Sequence, residues 1–361
     1  MAYTTIDDSS AYFHTQLYTG SSSGQSITND ANAGDFKPDW VWIKRRNGDP
    51  NSVGNGHHTF YDSNRGVQKE IYADLQNAEG TNSGGLTAFG TDGFTVGTEA
   101  RVNSNGLNFV SWQWKANGGT TSSNTSGDIN STVQANTTAG FSIVTYNGNG
   151  SSNQTVGHGL GATPDFLLWK NYDTDTSGWD WKTWHSKLSG TNYVRINKSE
   201  GQLSSNGDID ALPTSTLFTV GNNGSTNGQS GQNHTIICYA FTSIQGYSKF
   251  GKYTGNGNAD GPFVYTGFKP AWLMIKETIS GGSWGMWDNK RTTTNPMTIR
   301  LLANTSGTDD TSNDNSVDFL SNGFKMRTSS GSFNQSSTEI IYIAFAEHPF
   351  VSSKGVPVTA R

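Results

Sequence analysis

The residues best suited to chemistry in this chain are its histidines, its grouped aspartates and a crowd of tryptophans. His57-His58 precede Thr59-Phe60-Tyr61-Asp62, His158 lies in Val156-Gly157-His158-Gly159-Leu160, and His185 follows Trp184. Metal binding needs several such donors converging with ligand geometry, and no HExxH or comparable spacing is present. Turn and surface positions are therefore expected for the histidines, with no metal and no other cofactor. Asp309-Asp310, with Asp314 and Asp318 nearby, lie in a Ser/Thr/Asn stretch. That stretch lacks the glycine and closing glutamate of an EF-type Ca²⁺ loop, so a solvated loop is expected. Asp173, Asp175 and Asp180 could supply the paired carboxylates of glycoside hydrolysis, but the grouping is not kept elsewhere in the chain. No Gly-x-Ser-x-Gly elbow, P-loop or dinucleotide fingerprint occurs. A non-enzymatic protein is expected.

The tryptophans are the candidates for binding. Trp179, Trp181 and Trp184 crowd into Gly178-Trp179-Asp180-Trp181-Lys182-Thr183-Trp184-His185, and Trp284 and Trp287 occupy a matching region further on. Exposed indoles beside Asp, Asn and Lys can stack on sugar rings, so these five are candidate glycan or receptor contacts. The alternative is that they are core residues of strands. Because the region repeats, the core reading is favoured.

What must position these side chains is a module used three times. Phe36-Lys37-Pro38-Asp39-Trp40-Val41-Trp42-Ile43-Lys44 returns as Thr163-Pro164-Asp165-Phe166-Leu167-Leu168-Trp169-Lys170 and as Phe268-Lys269-Pro270-Ala271-Trp272-Leu273-Met274-Ile275-Lys276. Upstream lie Tyr18-Thr19-Gly20, Tyr146-Asn147-Gly148 and Tyr253-Thr254-Gly255. Downstream lie Phe94-Thr95-Val96-Gly97, Phe218-Thr219-Val220-Gly221 and Phe324-Lys325-Met326-Arg327. Each copy closes on an aromatic-aliphatic strand ending at Trp114, Phe241 or Phe345.

A unit on the order of a hundred residues is too long for a propeller blade or solenoid repeat and has the size of a β-sandwich. The expected fold is all-β: three tandem, jelly-roll-like β-sandwich modules with very little helix, over residues 1–120, 121–247 and 248–361. Three sandwiches in a row are favoured over one interlocked fold with internal threefold pseudosymmetry. Gly118 to Gly127 reads as a flexible linker by composition.

In Trp40 to Lys44 both faces are apolar, so neither is freely solvated. The bulky face of the closing strands (Val110, Trp112 and Trp114 in the first copy) is expected to fill the space between the two sheets of a sandwich. Val67 to Glu79 has helix-forming residues, but its counterparts are short and β-branched, so a strand is expected there. The recurring Lys44, Lys170 and Lys276 read as solvated amines at a strand end.

Composition sets the outer limits. In 361 residues only 32% are hydrophobic, yet 12% are aromatic and only 15% charged, which separates the chain from disordered sequences. The 44 glycines suit many turns between short strands. A net charge of −5 with no basic stripe argues against nucleic-acid binding. No apolar run is long enough to span a bilayer, and the N-terminus lacks the order of a signal peptide. The single Cys238 excludes an intramolecular disulfide framework.

Taken together, Tyr253-Thr254-Gly255-Asn256-Gly257, Gly261-Pro262-Phe263-Val264-Tyr265-Thr266-Gly267-Phe268-Lys269-Pro270-Ala271-Trp272, Leu320-Ser321-Asn322-Gly323-Phe324-Lys325 and Ala344-Phe345-Ala346-Glu347-His348-Pro349-Phe350 resemble a repeated β-rich domain family of tailed-phage virion proteins, frequent in marine cyanophages and podoviruses. Val156-Gly157-His158-Gly159-Leu160 and Ala360-Arg361 also fit. The resemblance implies a bacteriophage structural protein exposed on the particle, in a tail fibre or spike for host-surface attachment. Its alternatives are a capsid decoration or head-fibre protein and, further off, a glycan-degrading tailspike. It further implies assembly in the bacterial cytoplasm and residence in the virion. The implied partners are other virion proteins and a host-surface glycan or receptor, within a homo-oligomer, as a trimer. The second copy departs most, with Thr163 where the others carry phenylalanine.

Overall fold

The computed structural model describes residues 2–30, 34–48, 56–173, 178–229, 234–279, 281–312 and 315–357. The first unit comprises β1 (Phe13–Thr19), β2 (Gln25–Thr28), β3 (Trp40–Arg45), β4 (Thr59–Asp62), β5 (Lys69–Tyr72), β6 (Gly80–Thr81), β7 (Leu86–Phe89), β8 (Gly93–Val96) and β9 (Asn108–Trp114). The second comprises β10 (Ser122–Asn124), β11 (Ser131–Asn136), β12 (Phe141–Gly148), β13 (Gln154–Gly157), β14 (Phe166–Asn171), β15 (Lys182–His185), β16 (Ile209–Ala211), β17 (Leu217–Val220) and β18 (His234–Phe241). The third comprises β19 (Ser248–Thr254), β20 (Phe263–Tyr265), β21 (Phe268–Glu277), β22 (Gly285–Asp288), β23 (Leu301–Leu302), β24 (Val317–Leu320), β25 (Gly323–Met326) and β26 (Glu339–Pro349). Helix is confined, among the described residues, to a short 3₁₀ turn and three four-residue pieces: α1 (Ala100–Asn103), α2 (Gly224–Asn227) and α3 (Gly331–Asn334).

Four strands of the large sheet pair in the same order in every unit: β1-β9-β3-β4, β12-β18-β14-β15 and β19-β26-β21-β22. The large antiparallel sheets run β1-β9-β3-β4-β5-β6, β10-β11-β12-β18-β14-β15 and β19-β26-β21-β22-β23. Each faces a small sheet: β2-β8-β7, β13-β17-β16 or β20-β25-β24. The protein is thus all-β with three sandwich-like units. The segment after Val67 forms strand β5, not a helix.

The repeated Tyr-x-Gly has a local cause. Tyr18, Tyr146 and Tyr253 donate their hydroxyls to the carbonyls of Val102, Thr226 and Phe333 in the short helices. A Cβ on Gly20, Gly148 or Gly255 would lie 2.1–2.3 Å from the backbone of the same helix ends. A buried asparagine closes each helix: Asn103, Asn227 and Asn334 donate to Gly97, Gly221 and Thr328. These bonds satisfy turn carbonyls that would otherwise be buried unpaired.

Each unit has two interiors. Between its sheets lies a local core, such as Val41, Ile43, Phe94 and Val96 in the first unit. The other face of each large sheet joins one core shared by all three units, with Trp40, Trp42, Trp112, Phe141, Tyr239, Trp272 and Met274 among its members. At its centre the equivalent aromatics of the three closing strands meet. Ring centroids are 6.5 Å apart for Trp114–Phe241, 5.7 Å for Phe241–Phe345 and 5.7 Å for Trp114–Phe345. Trp40 stacks at 4.4 Å on Trp114 of its own unit and at 4.4 Å on Tyr239 of the second.

The arrangement is the interlocked one, with internal threefold pseudosymmetry. This corrects two expectations. The bulky face of the closing strands fills the space between units, while the smaller face, with Cys238 and Ala240, lines the local sandwich. The glycine-rich stretch after Asn117 is tied down rather than loose. Gly118 N–H donates to Asp39 Oδ2, Gly119 N–H donates to Gln134 Oε1, and Ser122–Asn124 forms β10.

Candidate functional site

Four of the five candidate tryptophans are core residues. Trp181 and Trp284 lie in the shared core, and Trp184 and Trp287 in the local cores of their units. Their indole N–H groups are used inside the protein. Trp181 donates to Tyr72 O (2.8 Å), Trp284 to Arg195 O (2.8 Å), Trp184 to Gly190 O (2.9 Å) and Trp287 to Asn315 O (3.1 Å). Trp179 is half-buried, with its ring against the Cα of Gly224 and its Nε1 unpaired. A sugar-stacking platform built from these five is ruled out, because the two sheet faces that bear the four are both covered.

The bonds of Trp181 and Trp284 are two steps of a ring. His58 occupies their position in the first unit, and its Nε2 meets Leu302 O at 3.0 Å. Thus unit two reaches unit one, three reaches two, and one reaches three. The recurring lysines close a second ring in the same direction. Lys44 Nζ donates to Gly56 O of its own unit and to Ser306 O (2.9 Å) of the third. Lys170 donates to Trp179 O (2.5 Å) and to Gln76 O (2.8 Å) of the first. Lys276 donates to Gly282 O (2.6 Å) and to Ser199 O (2.9 Å) of the second. These lysines are buried, not solvated strand ends. Burial pulls Lys44 down to about 7 and Lys276 down to about 8 from the ordinary lysine value.

A third set of bonds follows the same circuit with changed chemistry. Tyr239 donates to Asp62 (2.8 Å) and Trp112 to Asp288 (3.2 Å), and both carboxylates are held by Arg65 and Arg291. At the remaining seam His185 takes the aspartate position and meets Tyr342 O (3.2 Å). Burial lowers the pKa of His185 to about 4.

The acidic groups are consumed in similar ways. Asp309 binds Arg46 and Arg291, Asp310 binds Arg300, and Asp318 binds Arg327, so the expected solvated loop is an ion-paired one. Asp180 binds Arg195, Gln76 and Asn197, and Asp173 accepts from Thr235 N–H. Asp175, Asp314 and Ala360-Arg361 lie outside the described residues. His57 pairs with Asp74 at 2.6 Å, and His158 Nε2 meets Thr214 O at 3.2 Å. Among the described residues no group of three or more His, Cys, Asp or Glu side chains is placed to hold a metal ion.

An open groove of about 860 Å³ lies on the third unit, between edge strand β19 and strand β20. That volume is in the range of ligand-binding clefts. Its walls carry Phe263 and Tyr265, two of the few large exposed apolar side chains among the described residues. Tyr342, buried in the sheet, brings its ring over Gly251, where a Cβ would come within 2.5 Å of its hydroxyl. Lys249 lies 5.3 Å from the Tyr265 ring centroid and donates to Tyr265 O. Lys187 enters from the second unit and is exposed. A second groove of about 480 Å³ lies at the equivalent place on the first unit, beside His14 and Lys290. Sequence reasoning missed both. The available signal was Phe263-Val264-Tyr265, a strand alternation that turns aromatics outward in the third copy only.

The chain belongs to the family described as Domain of unknown function (DUF7483), whose profile matches residues 8–349. No curated protein matches it.

Proposed function

We propose that the chain is a structural protein of a bacteriophage particle, exposed at the surface as part of a tail fibre or spike and used in attachment to the host. The observation that supports a presenting scaffold is the convergence of Trp114, Phe241 and Phe345 with the cyclic bonds around them. Such a core fixes three units as one body and leaves their turns as the variable, contact-making surface, which is how binding loops are carried on rigid scaffolds. The buried ionisable groups hold seams together, a use that fits presentation better than turnover. The burial of Trp181, Trp184, Trp284 and Trp287 favours a second reading, a capsid decoration or head-fibre protein, which needs only a surface complementary to the shell.

Cryo-EM of intact particles with this chain labelled tests both. Label radiating from the tail is the expected result. Label on the capsid lattice replaces attachment by decoration, and particles without the chain overturn both. Release of reducing sugar from host envelope glycan by the purified protein would instead make it a depolymerase.

A further inference from the structure

We propose that the groove beside β19 is a docking site for one extended, acidic polypeptide strand of another protein, added to the sheet edge. The argument comes from the second unit, where the equivalent edge is already occupied. β12 is the counterpart of β19, since Ile143 and Phe250 stand opposite Tyr239 and Ile343 in their ladders. Along the free side of β12 runs β11, with Gln134 opposite Ile143 and Thr132 opposite Thr145. Just before β11, Ile129 bridges to Val156 of the small sheet, so this segment closes the mouth of the sandwich. Among the described residues the third unit has no such strand beside β19, and its mouth is the groove.

The partners that β11 uses have counterparts waiting in the groove. Gln134 donates to Ser63 and Asn64 of the preceding unit. The equivalent positions are Ser186 and Lys187. Ser63 and Ser186 each bond the matching aspartate, Asp39 or Asp165, at 2.8 Å. Ser131 of β11 donates to Gly157 O (2.7 Å), and in the third unit the amine of Lys249 takes the equivalent carbonyl of Tyr265 (2.9 Å). Tyr247 O accepts from Ala346 N–H. By the alternation of an antiparallel ladder, the backbone groups of Phe250 and Lys252 then face away from β26. Phe250 N–H already bonds Ser243 Oγ, leaving Lys252 to begin the new ladder.

The chemistry of the occupant follows from what differs. Lys187 replaces Asn64 and Lys249 flanks the edge, while the charge of Lys252 is met by Glu339, so the incoming strand carries a carboxylate where β11 carries Gln134. Lysines on an edge deter pairing of two copies through the same strand, which disfavours a second β19 as the occupant. Tyr265 stands where Gly157 makes room for Asn124 of β10, so the edge admits one strand and not a hairpin. Main-chain bonds would supply affinity and Lys187 the selection.

The probe is a free peptide of residues 129–136 bearing Q134E, titrated into the full chain by calorimetry, with the Q134K peptide as control. Saturable binding of the Q134E peptide at micromolar to low millimolar concentration is expected, with none for Q134K. K187A should weaken it about tenfold, the loss of one charged hydrogen bond. K252P removes an outward N–H of an edge strand together with the amine that pairs with Glu339. It should abolish binding where Lys252→Met, which loses the amine alone, does not. The K187A result stands if the proline variant fails to fold. No saturation by Q134E, or binding unchanged in K187A, overturns the proposal. So does an acidic oligosaccharide that binds in the groove when the peptide does not.

Discussion

The two interiors of each unit teach different things about what folds. The local cores are made largely of aliphatics and phenylalanine from two sheets of one repeat, as in Val156, Leu167, Phe218 and Val220. The shared core adds seven tryptophans and seven phenylalanines to the aliphatics of three repeats, and no single repeat can cover it. A chain of independent sandwiches would need only the first kind. The second makes the cooperative unit the whole ring, and perturbations should divide accordingly. The largest effect is expected from removing the third unit. A chain of residues 1–247 would leave Trp114 and Phe241 without Phe345 and should lose cooperative unfolding and aggregate. A sharp two-unit transition in calorimetry would show instead that the units stand alone.

Point changes sharpen the same contrast. Trp40→Ala should cost about 3–5 kcal/mol, because its ring is sandwiched between Trp114 and Tyr239. Hydrogen exchange should then rise in all three units together. Phe94→Ala, in a local core, should cost a similar amount and raise exchange chiefly in the first unit. Equal spreading from both sites would erase the distinction.

The seam between the second and third units carries a pH dependence through His185. Burial lowers His185 from 6.5 to about 4, against the raising effects of Tyr342 O and the Asp165 charge and with a further lowering from Lys187. Between those values the unfolded chain holds a proton that the folded chain has released. Stability is therefore full above pH 6.5 and falls as pH drops towards 4, by on the order of 3 kcal/mol for this group. His14, His58 and His158 are lowered too and act in the same direction. His185→Gln, which can still donate to Tyr342 O, should flatten part of this acid limb in melts between pH 4 and 7. An unchanged slope would mean that the imidazole is not the proton acceptor.

Much of this fold was legible in the sequence, because strand alternation and recurrence are local properties. Val41/Ile43 against Trp40/Trp42 announced a strand covered on both sides. What alternation could not tell was which cover belonged to the same unit, since a facing sheet and a facing neighbour bury a side chain equally. For that reason alternation alone puts the bulky faces in the wrong interior, and it leaves a surface reading of Trp181 and Trp284 open beside the favoured core reading. The lysines misled for a related reason. A lone amine at a strand end is ordinarily solvated, and its burial is set by carbonyls of a different repeat, at positions such as Ser306 and Gln76 with no residue-type signature. Backbone acceptors leave no trace in a sequence.

The smallest effect separates those buried amines from surface ones. Lys44→Met keeps the length of the side chain but leaves the carbonyls of Gly56 and Ser306 facing each other across a seam. Each orphaned buried acceptor costs about 1–3 kcal/mol, partly offset because the amine no longer has to be desolvated. The net loss expected in denaturant titration is therefore about 1–2 kcal/mol. Lys252 pairs with Glu339 on the exposed edge, where an ion pair is worth about 0–1 kcal/mol, so Lys252→Met should fall below the Lys44 variant. If the two losses are equal, the lysine ring holds nothing together, and the aromatic core alone unites the three units.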